Sequence, residues 1–339
     1  MRMLIPLPDV QGERDREREK NMLRAMDSAV AGLRAHQNKM DVVGHNIANV
    51  NTFGFKAQTY TFKEAMYQTS TASTGGAAGG TAGGTNAAQY GYGTLMGSIG
   101  MDMTSSTPSY VGGFNASIEG QGFFITSPEN KSGTPIDPTQ DGAVKKANFN
   151  FTRVGQFMVD SNGYIVDTNK NFIYGYRSTD DKGTLDTNLK PLRLPTGTNN
   201  PPTFNNDTDD AVLSTAIEIN AMGEITATVQ VDDGNGGKVS KTYKVGQVAI
   251  AIFQNPNGLT KAGGNYYTTN EQDNAGQVAA GKPGDAGIST LMTGYIEASN
   301  VDLAKEFADM ITTHRGFQAN SKMITVSDEM LSDLVAMKR

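Results

Sequence analysis

The first candidates for general-base chemistry in this chain are His36, His45 and His314, its only histidines. An imidazole titrates near neutral pH, so a histidine beside a nucleophile or carboxylate is the first place to seek a general base. Here His36 and His314 fall on apolar helical rows, and His45 adjoins a helix end. All three read as packed or solvated side chains. Cysteine is absent, which excludes disulfides, thiolate nucleophiles and Cys-ligated zinc. The run "GYGTLMG" (91–97) is one residue longer than the dinucleotide-binding fingerprint and has no strand-turn-helix setting. "DTNKNF" (167–172) opens like a calcium loop, but Phe172 stands where glycine is needed and Ser178 where the closing glutamate should be. It reads as a hairpin turn. Phe149, Phe151, Phe157, Tyr164, Phe172, Tyr174 and Tyr176 read as the core of a β domain rather than a ligand box. The expectation is a protein that is not an enzyme and has no cofactor, no metal and no catalytic residue.

With chemistry set aside, the elements carry the meaning. The stretch "GHNIANVNTFGFKA" (44–57) follows a helical pattern and then spends three asparagines, Asn46, Asn49 and Asn51, within six residues. Asn49 and Asn51 sit where a left-handed residue would end a helix, and Gly54 offers a second permissive backbone position. Upstream, Met26, Leu33, Met40 and Ile47 repeat every seven residues, with Ala29, His36, Val43 and Val50 three positions after each. That is a heptad seam, on a helix over 22–48 of about 40 Å. The far end behaves alike. Leu303, Met310, Phe317, Ile324 and Leu331 repeat every seven, with Phe307, His314, Ser321, Asp328 and Val335 four positions on. Ser299 with Asp302 three residues later resembles a capping box, and a helix over 300–337 would run about 57 Å. Stripes this narrow must be buried against another helix. Pairing the two ends is the economical solution, and the polar seam residues His36, His314, Ser321 and Asp328 weaken that pair while restricting its register. The pair is therefore expected to be marginal alone and completed by neighbouring copies, with an ordinary intramolecular hairpin as the alternative.

Between the ends the period changes to two. Residues 71–93 are rich in Gly, Ala and Thr and read as flexible or irregular. Short strands with turn signals follow, and 181–216 is rich in Pro, Asn and Asp and reads as loops. "EITATVQV", "KVSKTYKV" and "QVAIAIF" restore the strand pattern. The expected fold is α+β, with N- and C-terminal helices paired as a coiled coil around a β-rich body. The expected division is a leader (1–21, disordered or not native, with Met22 as the natural start), a terminal helical polymerisation domain (22–70 and 290–339), a Gly-rich connector (71–110), a β-rich body (111–180 and 217–289) and a loop-rich insertion or small outer domain (181–216). The net charge of −6 in 339 residues argues against nucleic acid as a partner. No apolar run approaches the roughly 20 residues of a membrane span.

Four blocks then resemble one family, in its order. "NIANVNTFGFKA" (46–57) resembles the N-terminal signature of the bacterial flagellar rod and hook proteins, with Asn46, Ile47, Ala48, Asn49, Thr52, Gly54, Phe55 and Lys56 as the matching positions. "SIEGQGFF" (117–124), with Gly120, Gly122 and Phe123, and "FTRVGQFMVDSNGYIVD" (151–167) are similar to its middle blocks. "GYIEASNVDLAKEFADMITTHRGFQANSKMI" (294–324), with Ser299, Asn300 and Val301, is similar to its C-terminal block. The resemblance covers 22–339. Within the family, the ending "MLSDLVAMKR", the Gly-rich insertion and the loop-rich segment favour a hook-type member, with a distal-rod type as runner-up. A more distant alternative is a secreted β-rich adhesin or carbohydrate-binding module.

The resemblance implies export by the flagellar type III apparatus and assembly with itself into a helical tube outside the cytoplasmic membrane. It implies contacts with other axial proteins, such as distal rod, hook cap and hook-filament junction proteins. The terminal helices would line the export channel, and the β-rich body would form outer layers of a flexible joint that carries torque. On this reading the self-assembly seam is Met26, Leu33, Met40, Val43 and Ile47 with Leu303, Phe307, Met310, Phe317, Ile324 and Leu331.

Overall fold

The computed structural model describes residues 10–75, 83–131, 133, 136–138, 140, 142–196, 202–204, 214–232, 237–285 and 287–337, with the backbone alone for 10–21, 215 and 232. The chain is α+β, with a long helix at each end and strands between. It divides into two compact units. One comprises Met1–Ala48, Gln58–Gly100 and Val301–Arg339, the other Asn49–Ala57 and Met101–Asn300.

The first unit is built on the N-terminal helix Val10–Ala48 and the C-terminal helix Leu303–Met337. At 39 and 35 residues these are about 58 and 52 Å long. The N-terminal helix starts twelve positions before the expected Met22, and the charge run 11–20 lies within it. The C-terminal helix starts at Leu303 rather than 300, because Asp302 and not Ser299 is its cap. The Asp302 carboxylate accepts from the amides of Ala304 (2.9 Å) and Lys305 (3.3 Å).

Strand pairing reaches further into this unit than its composition implied. Gln58–Glu64 pairs with Thr94–Met101. Tyr67–Thr71 pairs antiparallel with Ala88–Gly91, extended by a bridge between Thr74 and Thr85. The segment expected to be an irregular connector therefore contains paired strands on both sides of 76–82, which lie outside the described residues. Cross-strand polar contacts replace an apolar face there: Gln89 donates to Thr69 and Tyr92 to Gln68.

The second unit holds a 13-stranded antiparallel sheet, whose main path runs Ser214–Ile219, Glu224–Asp232, Lys238–Val248, Phe172–Ser178, Phe123–Ser127, Asn150–Thr152, Tyr266–Thr268 and Thr260–Gly263. The period of two is visible in Glu224–Asp232, where Ile225, Ala227, Val229 and Val231 are all buried in one core cluster. A second cluster gathers Phe123, Phe149, Phe151, Tyr174, Tyr176 and Phe253. The aromatics singled out in the sequence are thus core, with Phe172 half-buried. Segment 167–172 is a hairpin turn, with Val166 opposite Phe172 and the Asp167 carboxylate accepting from the amides of Asn169 and Asn171. Part of 181–216 is also ordered by pairing. Leu185–Pro191 adds a strand beside Phe172–Ser178 because Leu189 is fully buried, while 197–201 and 205–213 lie outside the described residues.

Candidate functional site

The two helices of the first unit run antiparallel and touch along a row of small and polar residues. Gly32 faces Asn320, and a Cβ at that glycine would sit 2.8 Å from the Asn320 amide nitrogen. Gly316 faces His36, with the corresponding distance 2.7 Å from the imidazole. Each helix thus offers a glycine to a polar side chain of the other, which brings the backbones close. Around this crossing, Ala29 and Ala35 are buried on one helix and Thr313 and Ser327 on the other. Lys39 pairs with Asp309 at 3.0 Å. The His36 ring also meets Phe62 of the neighbouring strand, with centroids 5.4 Å apart.

Asn46 anchors the end of the pair and is 1% exposed. Its side-chain amide donates to the carbonyl of Gln58 (2.8 Å) and to Glu306 Oε1 (3.1 Å), and its oxygen accepts from the Gln58 amide (2.9 Å). One side chain therefore ties both helices to the strand Gln58–Glu64. Burial is the main cause that raises the Glu306 pKa, and the Asn46 hydrogen bond works against it.

The apolar seam residues differ in exposure. Val43 is buried. Met26, Leu33, Met40, Ile47, Met310, Phe317, Ile324 and Leu331 are half-buried. Leu303 and Phe307 are 39% and 49% exposed, as are Ile311 (56%) and Met330 (48%) outside the heptad set. The heptad pattern located the helices and their pairing, but not the close approach at Gly32 and Gly316. Of the polar members, His36 lies in the contact, whereas His314, Ser321 and Asp328 face solvent. His45 is solvent-exposed.

The second unit gathers the remaining signature residues. Past Ala48 the chain turns as the Thr52 amide donates to the Asn49 carbonyl (3.1 Å) and the Thr52 hydroxyl to the Asn49 side chain (3.2 Å). Neither Asn49 nor Asn51 is left-handed; that conformation falls to Gly54, at φ 67°. The Asn49 side chain stabilises the turn by hydrogen bonding, so no strained backbone is needed before Gly54. Phe55 is buried beneath the Lys261 ammonium, 4.5 Å above its ring. Gly120 and Gly122 both have positive φ, and the buried ring of Phe123 lies 5.3 Å beneath the Arg153 guanidinium. Asn300 binds both ways: its oxygen accepts from the Ala57 amide (2.7 Å) and its nitrogen donates to the Asp102 carbonyl (2.8 Å). The Ser299 carbonyl accepts from the Ser106 hydroxyl. Val301 is half-buried in the first unit. Sequence reasoning missed Arg153 and Glu297, which lie inside the family blocks but carry no motif of their own. Their signal was a charge within an apolar run.

Residues 26–56 match the model for the flagella basal body rod protein, and 292–337 the model for the flagellar basal body rod FlgEFG protein C-terminal. The chain is 38% identical over 320 residues to the flagellar basal-body rod protein FlgG of Bacillus subtilis, covering 94% of this chain and 100% of that protein. It is 27% identical over 462 positions to the flagellar hook protein FlgE of Borreliella burgdorferi, again covering 94% of this chain and 100% of that protein. To FlgG of the same organism it is 29% identical over 323 residues, with the same coverage.

The chain belongs to the flagellar rod and hook family, and is a structural protein of the bacterial flagellum. The narrower hook reading does not share that footing, since the Bacillus rod protein is more similar to this chain than the Borreliella hook protein is.

Proposed function

We propose that this chain is a rod-type axial subunit, which polymerises through its terminal helices into a straight hollow shaft. The observation that supports it is the large apolar side chains left exposed on the C-terminal helix, Leu303, Phe307 and Ile311 on one face and Met323 and Met330 on another. Burying one such side chain is worth about 1.5–3 kcal/mol, so two exposed apolar faces favour association with neighbouring helices. The partners are copies of the same chain placed head to tail, a contact that propagates as a helix rather than closing into a ring. On this reading the helical unit is the polymerisation domain and the sheet unit forms the outer wall. Other axial proteins cap the polymer at its ends, and subunits arrive through the type III export apparatus.

Rod is preferred to hook because the alignment with the Bacillus rod protein spans both chains in 320 positions, whereas that with the Borreliella hook protein needs 462. The additional positions mark segments that this chain lacks. A hook-type joint remains the second reading, supported by the 94% coverage of this chain in that alignment. Electron microscopy of flagella labelled with antibody to this chain separates the two. Label on a straight shaft within the envelope supports the rod, label on a curved tube outside it the hook, and label elsewhere overturns both.

A further inference from the structure

Inside the second unit, two cations share one carboxylate out of contact with water. The side chains of Lys56 and Glu297 are both 0% exposed, and Arg153 is buried with them. The Lys56 ammonium donates to Glu297 Oε1 and to the Thr104 carbonyl, each at 2.7 Å. The Ser106 amide donates to the same carboxylate oxygen at 3.0 Å. Arg153 donates to the Gly120 carbonyl (2.8 Å) and approaches Glu297 Oε2 at 3.5 Å. Burial is the main cause that pulls the Lys56 pKa below its ordinary range, against the attraction of Glu297.

The chain passes from one unit to the other next to Ala48, Ala57, Gly100 and Asn300. The bordering stretches inside the second unit are fastened together here. The Gly54 amide donates to the Glu297 carbonyl (2.8 Å), the Asp102 amide to the Ala57 carbonyl (2.8 Å), and Asn300 joins Ala57 to Asp102. We propose that Lys56, Arg153 and Glu297 form a buried ionic latch that locks stretches 54–57, 102–106 and 297–300 together, with Glu297 as keystone and Lys56 as surplus cation. The latch gives the signature lysine a task within one molecule, distinct from the helical assembly surface.

Counting charges makes this testable. With Glu297→Gln, two buried cations lose the carboxylate they share, and Lys56 keeps just the weaker attraction of Asp102. With Lys56→Met, Arg153 and Glu297 remain as a balanced pair. Removing one partner of a buried pair is strongly destabilising because the other charge stays uncompensated. The test is hydrogen exchange of the full chain, read at the amides of Gly54, Ala57, Asp102 and Ser106. Glu297→Gln should lower protection at these amides at least tenfold more than Lys56→Met. The double variant Lys56→Met/Glu297→Gln should recover part of that loss, because one uncompensated cation has gone. Should Glu297→Gln fail to fold, greater recovery of soluble chain from the double variant reads the same suppression. Simple addition of the two losses, or wild-type protection in Glu297→Gln, overturns the latch.

Discussion

At the scale of single residues, the side-chain amides of Asn46 and Asn300 serve as rigid two-way connectors. An asparagine can donate and accept on one face, which suits it to span a backbone N–H and a backbone C=O at once. Asn46 does this with Gln58 alone. Replacing Asn46 with Ala should therefore remove more than one ordinary hydrogen bond, costing about 1–3 kcal/mol because the Gln58 groups lose their partner. Urea denaturation of the full chain checks this; a loss below about 0.5 kcal/mol would place Gln58 in water rather than in the clamp. The density of asparagines in "NIANVN" made the stretch legible as special. Its partners were not legible, since Glu306 lies 260 positions away and no local pattern encodes so distant a contact. The same limit hid the latch: Lys56 and Glu297 are 241 positions apart.

At the scale of elements, both terminal helices could be read from apolar repeats, and their pairing from the narrowness of the stripes. The close approach could not, because heptad reading favours large residues while Gly32 meets Asn320 and Gly316 meets His36. His36 marks that approach. Burial is the first cause that lowers its pKa, with Lys39 on the same helix adding to it. The opposite helix brings Asp309, which is paired with Lys39, and Glu306 near the end of the pair. A lowered histidine pKa means that the unfolded chain binds more protons in the window below 6.5, so stability falls as pH drops through it. Glu306, with its raised pKa, binds protons more readily when folded and opposes that loss at lower pH. Amide protection in the helix pair, measured relative to intrinsic exchange at each pH, should therefore fall as the pH drops below 6.5, and His36→Gln should flatten the change. Equal pH profiles for the two chains would show that His36 does not titrate against the fold.

At the scale of the whole molecule, four ordered blocks were enough to point to a family, and the relatives match along nearly all of the chain. Reading the ending, the Gly-rich insertion and the loop-rich segment favoured a hook type, a preference the relatives do not share, since the Bacillus rod protein is 38% identical and the Borreliella hook protein 27%. The C-terminal helix offers the direct test of assembly. Phe307→Asp places a charge on an exposed position, so each molecule should keep its strand signal in circular dichroism. Electron microscopy should then show no tubes where the parent chain forms them. Normal tubes from this variant would exclude that face from the contact between copies.

The reciprocal seating of His36 over Gly316 and Asn320 over Gly32 has a mechanical consequence. Sliding one helix past the other by a single turn, about 5.4 Å, drives His36 into Asn320 in one direction. In the other it leaves Gly32 opposite Gly316 with nothing to fill the gap. Either step is penalised, so the pair behaves as a keyed joint rather than a telescoping sleeve. Axial pull on such a subunit is borne without creep along this pair, and any lengthening has to come from elsewhere.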